Sequence, residues 1–229
     1  MRFSGKLKVL LIGDSYGLPR FHHKENKVVL FYEETYPERL REMLVTEYAG
    51  DVVLVNRCRH ANTTHSLISG EANEIFFLQP QVTIIQLGLT DLWPAGRRNV
   101  LPLQSELMGR DPWVSAGDYI GNIEKFAACA TEQGSRVILV GIPRVSEAVK
   151  KREPSVAIRT DEYTRLLREF ADKSAAVTFL DWRGIMENYS ENELIGEDGI
   201  HPTAFASGKL AEALLKTVRH EICEKGVCL

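Results

Sequence analysis

Short, continuous apolar runs alternate with longer amphipathic stretches along the chain, and this alternation limits the possible folds more than any other feature. The apolar runs are residues 8–12, 51–55, 82–87, 137–140 and 177–180. The stretches with helical spacing are residues 34–48, 64–78, 118–133, 155–173 and 203–221. Strands that are apolar on both faces are typical of a parallel sheet covered by helices on each side. The pattern predicts an α/β fold, a three-layer sandwich with a five-stranded parallel sheet of the flavodoxin-like type.

The length of 229 residues fits one domain, and we predict a single domain over residues 1–229. Residues 93–117 contain Pro94, Pro102 and Pro112 and are expected to form a long loop. The charged residues 150–153 are interpreted as a solvated linker before the next helix. Gly134 is the predicted end of the helix that precedes it.

The composition indicates an ordinary globular protein, with 44% hydrophobic and 26% charged residues. A formal net charge of -3 predicts no basic face, so we expect no nucleic-acid partner. No apolar stretch approaches the roughly 18 residues of a membrane span, and residues 9–12 are too few for a signal peptide. We therefore expect a cytoplasmic protein without a membrane partner. The sequence does not show which oligomeric state the protein adopts.

Cysteines and histidines are scattered and have no zinc-type spacing. The four cysteines are Cys58, Cys129, Cys223 and Cys228. We expect reduced thiols, although Cys223 and Cys228 could pair under oxidising conditions. Four of the histidines are His22, His23, His60 and His65, and they form no compact ligand set. The sequence therefore predicts no metal site.

A serine, a histidine and a carboxylate all follow strands of the predicted sheet, at the carboxyl edge where ligands bind. Ser15 follows the first strand, and Asp198 and His201 follow the fifth. A serine hydroxyl needs a base to take its proton, and the imidazole needs an acceptor on its other nitrogen. The spacing of three residues lets one turn present Asp198 and His201 together. The alternatives are a turn serine and a helix start at Pro202.

Residues 13–17 also match G-x-S-x-G, the nucleophile elbow of larger α/β-hydrolases. That elbow requires a helix directly after the serine, which Pro19 disfavours. Its acid and histidine also lie on separate loops, whereas here they are three residues apart. We therefore interpret Gly17, the second glycine of the pattern, as coincidental.

Gly13-Asp14-Ser15 and residues 198–202 (Asp-Gly-Ile-His-Pro) resemble the first and last sequence blocks of the SGNH hydrolases, also called GDSL esterases and lipases. The resemblance implies the SGNH hydrolase fold, catalytic roles for Ser15, Asp198 and His201, an acyl-enzyme and no cofactor. It also implies an oxyanion hole that uses the N–H of Ser15 and, in place of the second-block glycine, the N–H of Ala61. Cys58 takes that position if the loop is shifted.

The third block departs from the family pattern, because Thr90 stands where the family has an asparagine that donates to the oxyanion. Losing a side-chain donor from an oxyanion hole typically lowers turnover by about 10²–10³-fold. Thr90 replaces the donor, or Asn62 or a loop N–H does, or the enzyme is slow. The extended first and third blocks resemble a branch of the family associated with polysaccharide modification.

The candidate substrate-binding residues near the same edge are Arg20, Asn62, Asp91 and Trp93. The alternatives are solvated charge for Arg20, a structural role for Asp91, and packing for Trp93. The leading hypothesis is a serine esterase that hydrolyses small acyl esters, above all acetyl esters, of a carbohydrate or small metabolite. The same triad would serve an acyltransferase with a sugar hydroxyl as acceptor. The threonine at position 90 also leaves open a catalytically impaired glycan-binding protein.

Overall fold

The computed structural model describes residues 6–22, 25–94 and 112–223. Its strands are β1 (Leu7–Gly13), β2 (Arg20–His22), β3 (Lys27–Leu30), β4 (Val52–Cys58), β5 (Val82–Gln86), β6 (Arg136–Val140) and β7 (Val177–Leu180). Five of them form a parallel sheet in the order β4-β1-β5-β6-β7. Counted within this sheet, the order is 2-1-3-4-5, as in flavodoxin-like folds. The predicted sheet and its type are confirmed.

The described helices are α1 (Tyr36–Glu47), α2 (Ala72–Leu78), α3 (Leu89–Leu92), α4 (Ala116–Glu132), α5 (Glu147–Arg152), α6 (Pro154–Ala171), α7 (Trp182–Met186), α8 (Glu191–Leu194) and α9 (Ala204–Cys223). Among them, none has both the length and the apolar character needed to cross a membrane. Gly134 has a φ of +86° just beyond α4, in agreement with its prediction as the residue that ends this helix.

Two apolar clusters hold the helices on opposite faces of the sheet. Leu10 of β1 packs in a cluster with residues of α2, α4 and α6. Its neighbour Leu11 points the other way, into a cluster with residues of α1, α7 and α9. Both leucines are fully buried, as successive residues of a covered strand must be. This burial on both faces is why the strands are continuous apolar runs.

The structure corrects the sequence prediction in three segments. Strands β2 and β3 form an antiparallel hairpin between the first apolar run and the first helical stretch, where the sequence pattern predicts no strand. Residues 150–152 belong to α5 instead of a linker, because the Oγ of Ser146 accepts the N–H of Val149 and caps this helix. The predicted helix over residues 64–78 is interrupted by a π-helical turn, Leu67–Glu71, before α2. Most of the predicted loop 93–117 lies outside the described residues.

Candidate active site

The candidate site lies at the point of the sheet where the connections between strands switch from one face to the other. Strand β1 has β4 on one side and β5 on the other, so connections leave β1 and β5 toward different faces. Ligands bind outside the carboxyl ends of strands at such a point. Ser15 follows β1 directly, and Thr90 lies in α3, shortly after β5. The sequence prediction of this edge as the site therefore agrees with the topology.

Ser15 begins a single 3₁₀ turn, Ser15–Gly17, which Asp14 caps. The Oδ1 of Asp14 accepts the N–H of Tyr16 at 2.9 Å. A Cβ atom on Gly17 would lie 2.5 Å from the Sγ of Cys58, so a glycine is required there for space. Gly17 therefore has a steric role of its own in this turn. The chain continues as extended backbone and not as a helix, which separates this turn from the nucleophile elbow.

Ser15, His201 and Asp198 form a continuous chain of hydrogen bonds. The Oγ of Ser15 lies 2.8 Å from the Nε2 of His201. The Nδ1 of His201 lies 2.7 Å from the Oδ2 of Asp198. An ionised carboxylate can only accept, so Nδ1 carries the proton and Nε2 is free to accept the serine hydroxyl. This is the tautomer that a general base needs.

Hydrogen bonds keep the carboxylate of Asp198 ionised. Burial raises its pKa, but the ring N–H and the backbone N–H of His201 and the N–H of Ile200 outweigh burial and bring the pKa well below its usual range. Both backbone donors reach Oδ1 at 2.9 Å, which leaves Oδ2 for the imidazole. The carboxylate is therefore fixed in position and charge by its own turn.

The turn between Asp198 and His201 depends on Gly199. This residue has a φ of +75°, and a Cβ atom there would overlap the Oγ of Ser146. The N–H of Ser146 in turn donates to the carbonyl oxygen of Gly199 at 2.8 Å. Sequence analysis missed this contribution of Ser146, because no local pattern connects positions 146 and 199.

The two predicted partners of Ser15 in the oxyanion hole, Ala61 and Thr90, line the same cleft. Ala61 has a φ of +53°, in the left-handed region that favours glycine. Such a conformation is what a glycine of the second family block would supply. Cys58, the alternative for this position, lies in β4 with its thiol packed against the Ser15 turn. The geometry favours Ala61, and the donor roles of Ala61 and Thr90 stay predictions.

Asp91 and Asn62 connect the loops of the site to one another. The Oδ1 of Asp91 accepts the N–H of Thr64 at 2.8 Å and its hydroxyl at 2.6 Å. The Nδ2 of Asn62 donates to the carbonyl oxygen of Gly13 at 3.0 Å. Asp91 is fully buried, and burial raises the pKa of its carboxyl to about 6. Both side chains are buried and bond to the protein itself.

Arg20 and Trp93, the other two candidates for substrate binding, also contact the protein. The Nη2 of Arg20 donates to the carbonyl oxygen of Pro202 at 2.7 Å. The side chain of Trp93 is half-buried and packs against the apolar cluster around α4 and α6. Contacts with a substrate remain predictions for all four residues.

Within the described ranges, one group of potential metal ligands occurs, formed by His22, Glu25 and Glu197. The ammonium group of Lys27 lies 2.5 Å from a carboxylate oxygen of Glu25 and so already supplies a cation there. His23 and Cys228 lie outside the described residues. Among the described residues, Cys58 and Cys129 form no disulfide bond.

Comparison with known families identifies the relationship of the chain. The sequence model of the GDSL-like Lipase/Acylhydrolase family matches residues 11–206, which include Ser15, Asp198 and His201. The chain belongs to this family. It is therefore a carboxylic ester hydrolase, and the predicted resemblance is confirmed. A search of curated proteins gave no match.

Solved structures similar to this GDSL-like acylhydrolase cover nearly its whole length. The α/β hydrolase LAE5 from the Lake Arreo metagenome is 24% identical, with a TM-score of 0.69, over 93% of this chain and 95% of its own. A catalytic mutant of Axe2, an acetylxylan esterase from Geobacillus stearothermophilus, is 18% identical, with a TM-score of 0.70, over 95% and 96%. A lipase/acylhydrolase from Enterococcus faecalis is 15% identical, with a TM-score of 0.70, over 93% and 95%. These similarities support the SGNH hydrolase fold.

Proposed function

We propose that this acylhydrolase is a serine esterase in which Ser15 is the nucleophile, His201 the general base and Asp198 the residue that orients the imidazole. The observation that carries the proposal is the unbroken hydrogen-bonded chain from the Oγ of Ser15 through His201 to Asp198. A hydroxyl, a neutral imidazole and an ionised carboxylate in this order are the parts needed to activate a serine.

The reaction then follows from these positions. The Oγ of Ser15 attacks the ester carbonyl carbon while His201 accepts the proton of the serine hydroxyl. A tetrahedral oxyanion forms. The N–H groups of Ser15 and Ala61 and the hydroxyl of Thr90 donate to that oxyanion. His201 next protonates the departing alcohol, which leaves an acyl-enzyme. A water molecule repeats the sequence and releases the acid, so no cofactor takes part.

A mostly polar cleft beside the predicted oxyanion hole supports an alcohol part rich in hydroxyl groups. The cleft has a volume of about 520 Å³, and its described lining includes Ala61, Thr90, Trp113, Asn122 and Lys125. Trp113 is 43% exposed, and an aromatic ring with nearby hydrogen-bonding groups suits a sugar. The similarity in fold to an acetylxylan esterase is in keeping with a small acyl group. We therefore propose acetyl esters of carbohydrates as substrates.

The decisive test is turnover of p-nitrophenyl acetate by the wild type and by Ser15→Ala. We expect kcat to fall about 10⁴-fold or more in the variant, with its thermal unfolding unchanged. Ser69→Ala, at an exposed serine of the π-helical turn, is the matched control and should keep full activity. A fluorophosphonate probe should label the wild type and Ser69→Ala alone. Equal turnover by the wild type and Ser15→Ala would exclude the proposal.

Substrate choice needs a separate experiment. We expect kcat/KM to fall from p-nitrophenyl acetate to the butyrate and the octanoate, and to be higher for an acetylated sugar than for hexyl acetate. Trp113→Ala should raise KM for the sugar acetate and leave that for p-nitrophenyl acetate unchanged. Phe77→Ala, at a residue of α2 that is 86% exposed, is the control. An added sugar acceptor separates hydrolysis from acyl transfer, because only transfer produces a new sugar ester.

A further inference from the structure

Arg20 connects the segment that carries the nucleophile to the turn that carries the base. It lies five residues after Ser15, at the start of β2. Its Nη2 donates to the carbonyl oxygen of Pro202, the residue directly after His201, at 2.7 Å. The two residues are 182 positions apart. One arginine side chain thus holds the backbone next to the imidazole.

The surroundings of Arg20 are those of a fixed and not of a solvated side chain. Its Nη1 is buried and has no hydrogen-bond partner among the described residues. Burial lowers the pKa of Arg20, and the carboxylate of Asp198 acts in the opposite direction. The guanidinium therefore lies near enough to feel the charge of Asp198. A planar guanidinium with a directed hydrogen bond is well suited to fix a backbone position, whereas a lysine is a mobile point charge.

The turn around His201 is fixed to its own side of the molecule by backbone bonds. The N–H of Gly196 donates to the carbonyl oxygen of His201 at 2.8 Å, and Ile195 pairs with Pro202 in an isolated bridge. These bonds keep the turn folded but do not join it to Ser15. The bond from Arg20 does join the two segments. A second contact, between Lys27 and Glu197 at 3.7 Å, is exposed and weak.

We propose that Arg20 is a positioning residue, whose guanidinium holds the Asp198–His201 turn at hydrogen-bonding distance from the hydroxyl of Ser15. This inference rests on the proposed function, because it assigns Arg20 a part in aligning the same three side chains. The sequence indicated Arg20 as a candidate substrate-binding residue. The proposal instead gives it the task of aligning catalytic side chains. A displacement of about 1 Å at a reacting group can lower the rate about 10²-fold, so a single anchoring bond can be important.

The test compares Arg20→Met, Arg20→Lys and Arg165→Met. Arg165 is an exposed arginine of α6 that pairs with Glu169 at 2.5 Å, and its variant controls for the loss of a surface charge. With p-nitrophenyl acetate, we expect kcat of Arg20→Met to fall about 10–10²-fold, with KM within about twofold of the wild type. Arg20→Lys should recover part of the loss, and Arg165→Met should behave as the wild type. A rise in KM at unchanged kcat would instead support substrate binding and overturn the inference.

A second measurement tests the alignment of His201 with Asp198 and Ser15 and does not depend on turnover. The proton on Nδ1 of His201, held by Asp198, should give a downfield resonance in the wild-type NMR spectrum. We expect this resonance to shift or broaden in Arg20→Met and to persist in Arg165→Met. A wild-type resonance in Arg20→Met, with wild-type kcat, overturns the role of Arg20 and leaves the esterase proposal intact. Equal activity of Ser15→Ala and the wild type removes the esterase proposal, while the resonance still decides the anchoring role.

Discussion

The hydroxyl of Ser15 lies 2.8 Å from the Nε2 of His201, although 186 positions separate the two residues along the chain. The parallel sheet produces this contact. It places the end of β1 and the loop after β7 at the same edge, and the turn of residues 198–201 then aims the imidazole at the serine. The fold brings the two residues to the same edge of the sheet, and the local turns then orient their side chains toward each other.

The ionised carboxylate of Asp198 should be essential for the rate and not for binding. Asp198→Asn keeps the shape of the side chain but favours the wrong imidazole tautomer, so we expect kcat to fall about 10³–10⁴-fold with little change in KM. The neighbouring exposed Glu197 provides a control, and Glu197→Gln should keep full activity. Steady-state kinetics with p-nitrophenyl acetate checks both. A loss of less than tenfold in Asp198→Asn would contradict the assigned role.

The hydroxyl of Thr90 should act as an oxyanion donor. Thr90→Val removes the donor at nearly constant shape, and we expect kcat to fall about 10²–10³-fold. Thr90→Ser keeps the hydroxyl and should stay within a few-fold of the wild type. Thr90→Asn introduces the family's amide donor and should equal or exceed the wild type. Similar kcat values for the valine and serine variants would mean that the hydroxyl does not contact the oxyanion.

The sheet and its order were predictable because burial on both faces leaves a simple pattern in the sequence. The hairpin of β2 and β3 was missed because its strands are short and largely exposed, as the 43% exposed Val28 illustrates. Helix α5 was missed because Lys150, Lys151 and Arg152 suggest solvated charge, while the helix is set by the cap at Ser146. Capping and solvent exposure are decided by the local backbone, and they leave weak signals in a single sequence.

The sequence predicted which residues form the candidate site, but it did not predict the contacts that hold them in position. Ser15, Asp198 and His201 stand out because each follows a strand in a recognisable motif. The steric need for Gly17 depends on the thiol of Cys58, on the neighbouring strand. The bond from Arg20 to Pro202 likewise exists only after folding. Contacts between segments far apart in the chain are what a single sequence does not reveal.

Gly199 should be required both for stability and for the alignment of His201. Gly199→Ala forces a methyl group into the Oγ of Ser146 at a φ of +75°, so we expect a loss of about 2–4 kcal/mol in unfolding free energy and a drop in kcat of more than tenfold. Gly134→Ala has a similar φ of +86° but open space around it. This control should cost about 1–2 kcal/mol and keep full activity. Urea unfolding and kinetics separate the two effects, and equal losses in both variants would rule out the clash.

The carboxyl of Asp14 is buried beside the Ser15–Gly17 turn, and its pKa differs strongly from that of an ordinary aspartate. Its pKa is raised from 3.8 to about 7, mainly because the group is buried; the N–H of Tyr16 lowers the pKa in part, and the charge of Asp91 adds to the rise. The folded protein therefore binds a proton at Asp14 over a pH range in which the unfolded chain has released it. By linkage, this group makes the protein less stable as the pH rises from about 4 to about 7, and it adds no further change above that range.

Asp14→Asn should remove this dependence, because an amide cannot ionise and its oxygen can still accept the N–H of Tyr16. We expect the unfolding free energy of the variant, relative to that of the wild type, to increase by about 2–4 kcal/mol between pH 4 and pH 8. Asp51→Asn, at an exposed aspartate before β4, should show no such trend. Urea unfolding at four pH values across this range is the measurement. A difference between Asp14→Asn and the wild type that does not change with pH would mean that the carboxyl of Asp14 has the same pKa in the folded protein as in the unfolded chain, in spite of its burial.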